Sequence, residues 1–339
     1  MSIRICLTPR VHGVGGMVSF FYKLTAGLDA HGIQTTHDLR GSTYDSVLVI
    51  GGTRDLIGLS QAKRRGIPIV QRLNGMNWLH RRIKTGLRHY LRAEYGNWLL
   101  NLIRTRLATH IVYQSEFTRG WWERVYGKTP VANTVIYNGV DLNAYTPDGA
   151  HARPTDRFRL LLVEGSLQGG YEMGLETAIE LAQSLIPNTQ YPFELMIVGK
   201  VSPEIKAAWV TKAGFPIHWA GLIAPEQIPE IDRSAHLLYS ADINAACPNS
   251  VIEALACGLP VIAFDTGALP ELVSPRAGRV VPYSGDPWQL EPPDVGALAK
   301  GAMEIIQAGE EMRQAARQRA EELFRLETMV ERYLGVLAA

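Results

Sequence analysis

Short apolar runs rich in branched residues alternate along this chain with stretches that carry apolar residues every three or four positions. Residues 3–8 (IRICLT), 46–52 (SVLVIGG), 67–73 (IPIVQRL), 108–115 (ATHIVYQS) and 131–139 (VANTVIYNG) read as buried strands, and 32–39 (GIQTTHDL) starts another. Residues 17–30 carry a helical pattern. The alternation pauses over 137–157, where Gly, Pro and Asp occur without periodicity, as in a linker. It then resumes. Strands are expected at 158–165, 193–200, 216–221, 236–241 and 259–267, and helices at 171–185, 203–214, 224–235 and 250–258. Two helices, 294–307 and 310–337, close the chain. Strands separated by helical runs predict parallel sheets built from βαβ units, here two doubly wound α/β domains with a cleft between them. In such sheets ligands bind beyond the carboxyl ends of the strands.

Composition narrows the class. A length of 339 residues suits two domains, and a net charge of +1 demands no nucleic-acid partner. Cys6, Cys247 and Cys257 form no CxxC pair, which fits a reduced compartment. The N-terminus reads as a strand rather than a signal peptide, and no apolar run reaches the ~18 residues of a membrane span. A cytoplasmic protein is expected.

Two stretches invite chemistry. HGVGGM (12–17) follows a strand and opens a helix. Gly13 and Gly15 fit a dinucleotide fingerprint, and Asp38 stands where a ribose-binding acid would lie. Val18 occupies the third glycine position and disfavours a dehydrogenase. Gly15 and Gly16 instead let an anion or a hydroxyl-rich group approach the helix N-terminus; a tight turn without ligand is the plain alternative. The second stretch is CPNSVIEALACGLPVIAFDTGALPELV (247–273). Ser250-x-x-Glu253 has capping-box spacing, Asn249 is an N-cap candidate, and Gly258 with Pro260 ends the helix. Capping explains these residues. So does ligand binding, because a carboxylate at that strand end can accept two ribose hydroxyls while backbone N–H groups hold a diphosphate.

The segment 248–273 resembles the donor site of retaining, GT-B-fold glycosyltransferases of family 4. VIYNGVDLNAYTP (135–147) is similar to that family's interdomain signature, GVGGM to its glycine turn, and RLNGMNW (72–78) falls where many members carry an acceptor-side His or Asp. The resemblance implies a GT-B fold of two Rossmann-like domains facing across a cleft. Residues 1–150 would be acceptor-side and 151–325 nucleotide-sugar-binding, with 326–339 a helix returning to the first domain. It implies transfer of a sugar from a nucleotide diphosphate to a glycan or lipid-linked acceptor with retention, in cell-surface polysaccharide assembly. Neither metal nor other cofactor is required by the motif. Glu253 matches the second acid of the family's E-x7-E motif, on the ribose, with Pro248, Asn249, Ser250 and Val251 lining the sugar and phosphate side.

The chain departs from that pattern. Ala245 stands where the first acid of E-x7-E belongs, and Ser166 and Tyr171 replace the Arg and Lys that hold the departing diphosphate. Removing one preorganised donor from such a site typically costs ~10²–10³ in rate. Gly165, Ser166, Gly169 and Gly170 offer an anion nest in compensation, with the Ser166 and Tyr171 hydroxyls, and Arg10 and Arg72 are the cations expected to reach in from the other domain. Asn74 orients an acceptor hydroxyl but takes no proton; in the front-face mechanism the leaving phosphate takes it, and the protein positions and stabilises. Asn74 and Glu253 are the expected catalytic residues. Gly15, Gly16, Arg72, Gly165, Ser166, Tyr171 and 248–251 are the expected binding residues. The departures also favour a rival, a non-catalytic nucleotide-sugar-binding or scaffold protein.

The run 77–107 carries Arg81, Arg82, Lys84, Arg88, Arg92, Arg104 and Arg106 against Glu94 alone, with Trp78, Leu79, Trp98 and Leu99 interleaved. A basic amphipathic helix of this kind lies on an anionic membrane or meets a phosphate-bearing acceptor. The slightly preferred reading is a solvated charged face whose apolar side packs on the sheet. Either way a nucleotide-sugar donor is expected, peripheral contact with an inner membrane face is compatible, and nucleic acid is not.

Overall fold

In the computed structural model, residues 3–13, 15–41, 43–167, 172–189 and 192–338 are described. The chain divides by packing into two units, 1–139 with 325–339, and 140–324.

The first unit holds a parallel sheet of β1 (Arg4–Thr8), β2 (Gln34–Thr36), β3 (Ser46–Ile50), β4 (Ile69–Leu73), β5 (His110–Tyr113) and β6 (Ala132–Val135), in the order β2-β1-β3-β4-β5-β6. Its helices are α1 (Gly16–Ala30), α2 (Leu56–Arg64), α3 (Leu87–Leu102) and α4 (Glu116–Tyr126). β3 and β4 are buried along their whole length, which accounts for unbroken apolar runs in place of alternation. Capping follows the sequence closely at α4. Ser115 Oγ accepts from Thr118 N at 3.1 Å, and Gly127, at φ 78°, ends the helix. Trp121 and Trp122 are core residues.

The second unit contains β7 (Phe158–Ser166), α5 (Glu172–Leu185), β8 (Phe193–Lys200), α6 (Pro203–Lys212), β9 (Ile217–Gly221), α7 (Ile228–Arg233), β10 (Leu237–Ser240), α8 (Asn249–Ala256), β11 (Val261–Phe264), α9 (Leu269–Leu272), β12 (Gly278–Val281), α10 (Val295–Ala308) and α11 (Glu310–Leu323). All strands are parallel, in the order β12-β11-β10-β7-β8-β9. The chain leaves β7 towards β9 and returns to β10 on the other side of β7. The switch point of this doubly wound sheet therefore lies between β7 and β10. β12 escaped the sequence reading: it is a four-residue edge strand, and Gly278 lets it approach β11 so closely that a Cβ there would sit 2.1 Å from Val261 O.

The stretch 137–157 holds no helix or strand and contains the division between the units, as expected of a linker, and it is packed: Val140, Leu142 and Tyr145 are buried, and Asp141 Oδ1 accepts from Asn143 N at 2.8 Å. One further expectation is corrected. The closing helix expected over 310–337 is two helices. Phe324, fully buried, interrupts it before α12 (Leu326–Leu337) joins the first unit. There Met329, Val330, Tyr333 and Leu337 complete the core beneath α1, and the rings of Phe20 and Tyr333 lie 5.3 Å apart.

Gly27 is what lets α12 lie against α1, since a Cβ on it would stand 2.4 Å from Val330 Cγ2. Gly27→Ala is expected to lose ~1–3 kcal/mol through overpacking, read as a fall of several degrees in melting temperature. Combined with Val330→Ala, the two changes should cost less than their sum. Strict additivity in thermal melts of the double variant would show that α12 is not seated there.

Candidate functional site

In the first unit the carboxyl edge of the sheet carries a buried polar network. Arg72, near the end of β4, is fully buried. Its Nη1 donates to Asn74 Oδ1 at 2.7 Å and its Nη2 to Asn138 Oδ1 at 2.9 Å, which also accepts from Gln114 Nε2 at 3.0 Å. The guanidinium lies 3.7 Å over the centre of the Phe20 ring. Trp122 Nε1 donates to the carbonyl of Asn74 at 2.8 Å. Arg72, expected as a direct phosphate contact, is thus placed behind Asn74 and fixes it. Asn74 itself is half-buried, with its Oδ1 turned to Arg72. Gly15 and Gly16 open α1 exposed. Gly15, at φ 124°, carries no side-chain cap, and nothing lies within 4 Å of where its Cβ would be. Asp38 is engaged by its own turn: its Oδ1 accepts from Gly41 N and Arg40 N, both at 2.9 Å, which holds its pKa below the ordinary carboxylate range.

In the second unit the switch point brings together the ends of β7 and β10. Gly165 and Ser166 are exposed at the end of β7. Tyr171, with 168–170, lies outside the described residues. The loop before α8 is held from below by the 265–268 turn. Asn244 N donates to Thr266 Oγ1 at 3.4 Å, Ala268 N donates to Ala245 O at 2.8 Å, and Gly267 at φ 62° passes so close that a Cβ would stand 2.4 Å from Ala245 N. Ala245 is itself buried.

The capping box is not formed. α8 begins at Asn249 with Pro248 as N-cap, and no side chain caps it. The helix starts two residues too early for Ser250 and Glu253 to occupy the N-cap and N3 positions. Pro248, Asn249 and Ser250 are half-buried, Val251 is fully buried in the core, and Glu253 is half-buried. Val251 therefore offers at most its backbone. The charge of Glu253 bears on Asp232, which is 1 % exposed and whose pKa is raised well above the carboxylate range, by burial first and by Glu253 second.

Three residues at this edge were not singled out from the sequence. Glu164 lies near the end of β7 and Asp242 just after β10, on either side of the switch point. Lys200 ends β8, is exposed, and pairs in register with Ser166, with Leu167 N donating to Lys200 O at 3.0 Å. A cation as the last residue of the strand next to the glycine turn is the signal that would have found it. Gly199 brings β8 close to Glu164, whose carbonyl lies 2.2 Å from where its Cβ would be. Among the described residues no three His, Cys, Asp or Glu side chains gather as a metal site would need.

The acid pair carries a pH signature. Burial pushes Asp242 up to about 6, and burial together with the charge of Asp242 raises Glu164 well above the ordinary carboxylate range. Between an ordinary value near 3.8 and about 6 the folded chain holds more protons than the unfolded one, so stability falls as pH rises through that window and stays lower above it. Asp242→Asn is therefore expected to melt a few degrees higher than the parent at neutral pH, with the gap closing below about pH 4. A gap of the same size at every pH in calorimetry would show that Asp242 does not titrate this way.

Residues 39–144 match the profile of Glycosyltransferase Family 4, and residues 159–308 that of Glycosyl transferases group 1. No curated protein matches the sequence. Among solved structures, sucrose-phosphate synthase from Thermosynechococcus elongatus superposes with a TM-score of 0.76 at 18% identity, covering 98% of each chain. HepE from Anabaena in complex with UDP and glucose follows at 0.69 and 16% over 99% of each chain. WaaG, a glycosyltransferase involved in lipopolysaccharide biosynthesis, follows at 0.70 and 14% over 99% of each. At these identities the likeness is one of fold, and two six-stranded parallel sheets flanked by helices are the shared architecture. With the two profiles covering most of its length on that architecture, the chain belongs to the group 1, family 4 glycosyltransferases of GT-B fold.

Proposed function

We propose that this glycosyltransferase takes its sugar from a nucleoside-diphosphate donor held at the carboxyl edge of the second unit, between the end of β7 and the start of α8. The observation that carries this reading is the placement of the amino end of α8 at the carboxyl edge of the sheet, beside the switch point, with Glu253 half-buried one turn in. Glu253 accepts the ribose hydroxyls. The first N–H groups of α8 and the exposed Gly165–Ser166 turn take the diphosphate. Lys200 supplies the positive charge that Ser166 lacks. HepE in complex with UDP-glucose, a protein of like fold, supports a nucleotide sugar as the donor.

The chemistry follows from that placement. The glycosidic carbon–oxygen bond breaks with its electron pair passing to the diphosphate. The acceptor oxygen forms the new bond on the same face, and its proton goes to a leaving phosphate oxygen. Asn74, fixed by Arg72, orients the acceptor hydroxyl and needs no basicity. Retention is carried over from the family motif. Glu164 and Asp242 stand at the same edge, and burial raises the pKa of both, which lessens the negative charge they bring beside a diphosphate. The acceptor is a glycan or a lipid-linked sugar of cell-surface polysaccharide, met by a chain peripheral to the inner face of a membrane.

One observation favours a second reading, a nucleotide-sugar-binding protein without turnover: Ala245 is buried and brings no carboxylate to the sugar. Titration against UDP-, GDP- and ADP-sugars, followed by product analysis with oligosaccharide and lipid-linked acceptors, separates the two. Saturable binding with product is expected. Binding without product across all acceptors favours the second reading, and absence of any saturable binding defeats both. Glu253→Gln and Lys200→Ala should each weaken donor binding by roughly tenfold or more, the lysine effect shrinking at high salt. Unchanged affinity in both variants would move the donor elsewhere.

A further inference from the structure

The amino edge of the second unit's sheet, opposite the edge where its strands end, gathers arginines. Three side chains from separate parts of the chain converge on successive carbonyls in the turn between α7 and β10. Arg153 Nε donates to Arg233 O at 2.9 Å, Arg159 Nη1 to Ser234 O at 3.3 Å, and Arg313 Nη1 to Ala235 O at 3.4 Å. Arg153 precedes β7, Arg159 lies at its start, and Arg313 stands at the beginning of α11. His236, next in the chain, accepts at Nδ1 from Arg159 N at 3.0 Å and stacks on Phe158, ring centres 4.9 Å apart. Capping the carboxyl end of α7 is the plain role of such arginines.

Capping does not use them up. Arg159 is paired: its Nε bonds Glu194, which also faces Arg157 at 3.6 Å, and its Nη1 also reaches Ala152 O at 3.1 Å. Arg153 and Arg313 are half-buried, and each guanidinium gives the described residues one hydrogen bond, although it is a fork of several N–H donors. Acidic side chains do not balance the pair. Glu310 stands 4.0 Å from Arg313 Nε and is 73% exposed, whereas the Arg313 side chain is 13% exposed. Burial, then the charge of Arg153, lowers the pKa of Arg313 to about 10. Burial, then the charges of Arg153, Arg313 and Arg159, lowers that of His236 to about 4. Like charges withdrawn from water are costly, and an anion that takes their spare N–H groups offsets the cost. A phosphate fits best, because it brings close to two negative charges and enough oxygens for two guanidinium forks at once.

We propose that Arg153 and Arg313 form a second anion site, at the amino edge of the second unit's sheet, that takes a phosphate-class oxyanion, either free or as a monoester. The site is separate from the diphosphate position at the carboxyl edge and does not depend on that reading. Arg233 Nε and Nη1 donate to Ala150 O at 3.0 Å and Thr146 O at 3.1 Å, so the same turn is tied to 146–150. An anion here braces the segment by which the chain enters the second unit.

Thermal melts of the full chain in inorganic phosphate and in glycerol phosphate, each against sodium chloride at equal ionic strength, test it. A saturable rise of a few degrees is expected from at least one of the two, and the tighter identifies the source. Arg153→Gln with Arg313→Gln should weaken that response at least about tenfold, each protein being read against itself without phosphate. Arg313→Lys, which keeps the charge and loses the fork, should weaken it less, and it serves if the double variant does not fold. Hydrogen exchange locates the site without any variant: phosphate should slow exchange over 146–153 and 233–236. An equal response to chloride, an unchanged response in the double variant, or protection confined to 165–166 and 249–253 overturns the proposal. Lys200→Ala should leave this response intact while it weakens donor binding, and the Arg153/Arg313 variant should do the reverse. Loss of the phosphate response in Lys200→Ala alone would assign the anion to the donor edge.

Discussion

The close passage of Gly267 over Ala245 is the constraint on which the second unit's ligand edge depends. At φ 62°, with no side chain, Gly267 lets the turn after β11 press on the backbone of the loop that follows β10. Asn244 N to Thr266 Oγ1 and Ala268 N to Ala245 O then pin the middle of that loop. Asn244 accepts a positive φ of 58° within it. With the loop fixed, the start of α8 is fixed, and its first turn needs no capping side chain to hold it in place. Position 245 in this chain is thereby a packing position, where a small residue fills the space beneath a tight backbone crossing.

Charge at the same edge is arranged by topology. Parallel strands all end on one side, so whatever residues close them are gathered there whether or not they are neighbours in sequence. Some of the acids so gathered serve the backbone. Asp265 Oδ1 accepts from Tyr283 N at 2.9 Å, as Asp38 does for its own turn in the first unit. Glu164 and Asp242 serve no such turn among the described hydrogen bonds, and burial raises the pKa of each. Lys200 reaches this edge because β8 lies beside β7, not because of any spacing to the glycines.

The first unit works differently. Its polar groups form a rigid buried lattice, Arg72 with Asn74, Asn138 and Gln114, that aims a carboxamide instead of supplying acid or base. Around it the unit exposes, in Leu87, Leu91, Tyr95 and Trp98 of α3, apolar surface that folding alone would have hidden. Rigid positioning and an outward apolar helix sit on one unit because β4 leads directly from Arg72 through Asn74 to the start of α3.

By itself the sequence determined the class of fold, eleven of the strands, the stop at Gly258 and the family. All of these rest on local signals: branched apolar runs bounded by turn residues, a glycine in the left-handed region, and a contiguous motif. It did not determine the start of α8, because Ser250-x-x-Glu253 satisfies capping spacing as well as ligand spacing and only the backbone decides which residue is N-cap. It misplaced Arg72, whose burial depends on Phe20 and Asn138 from distant parts of the chain. It missed β12, too short to show a period, and the break at Phe324, where one amphipathic pattern serves two different cores. The side on which α3 packs was also beyond it. Periodicity reports that a helix has an apolar face, but only the tertiary structure decides whether that face meets the core or the solvent.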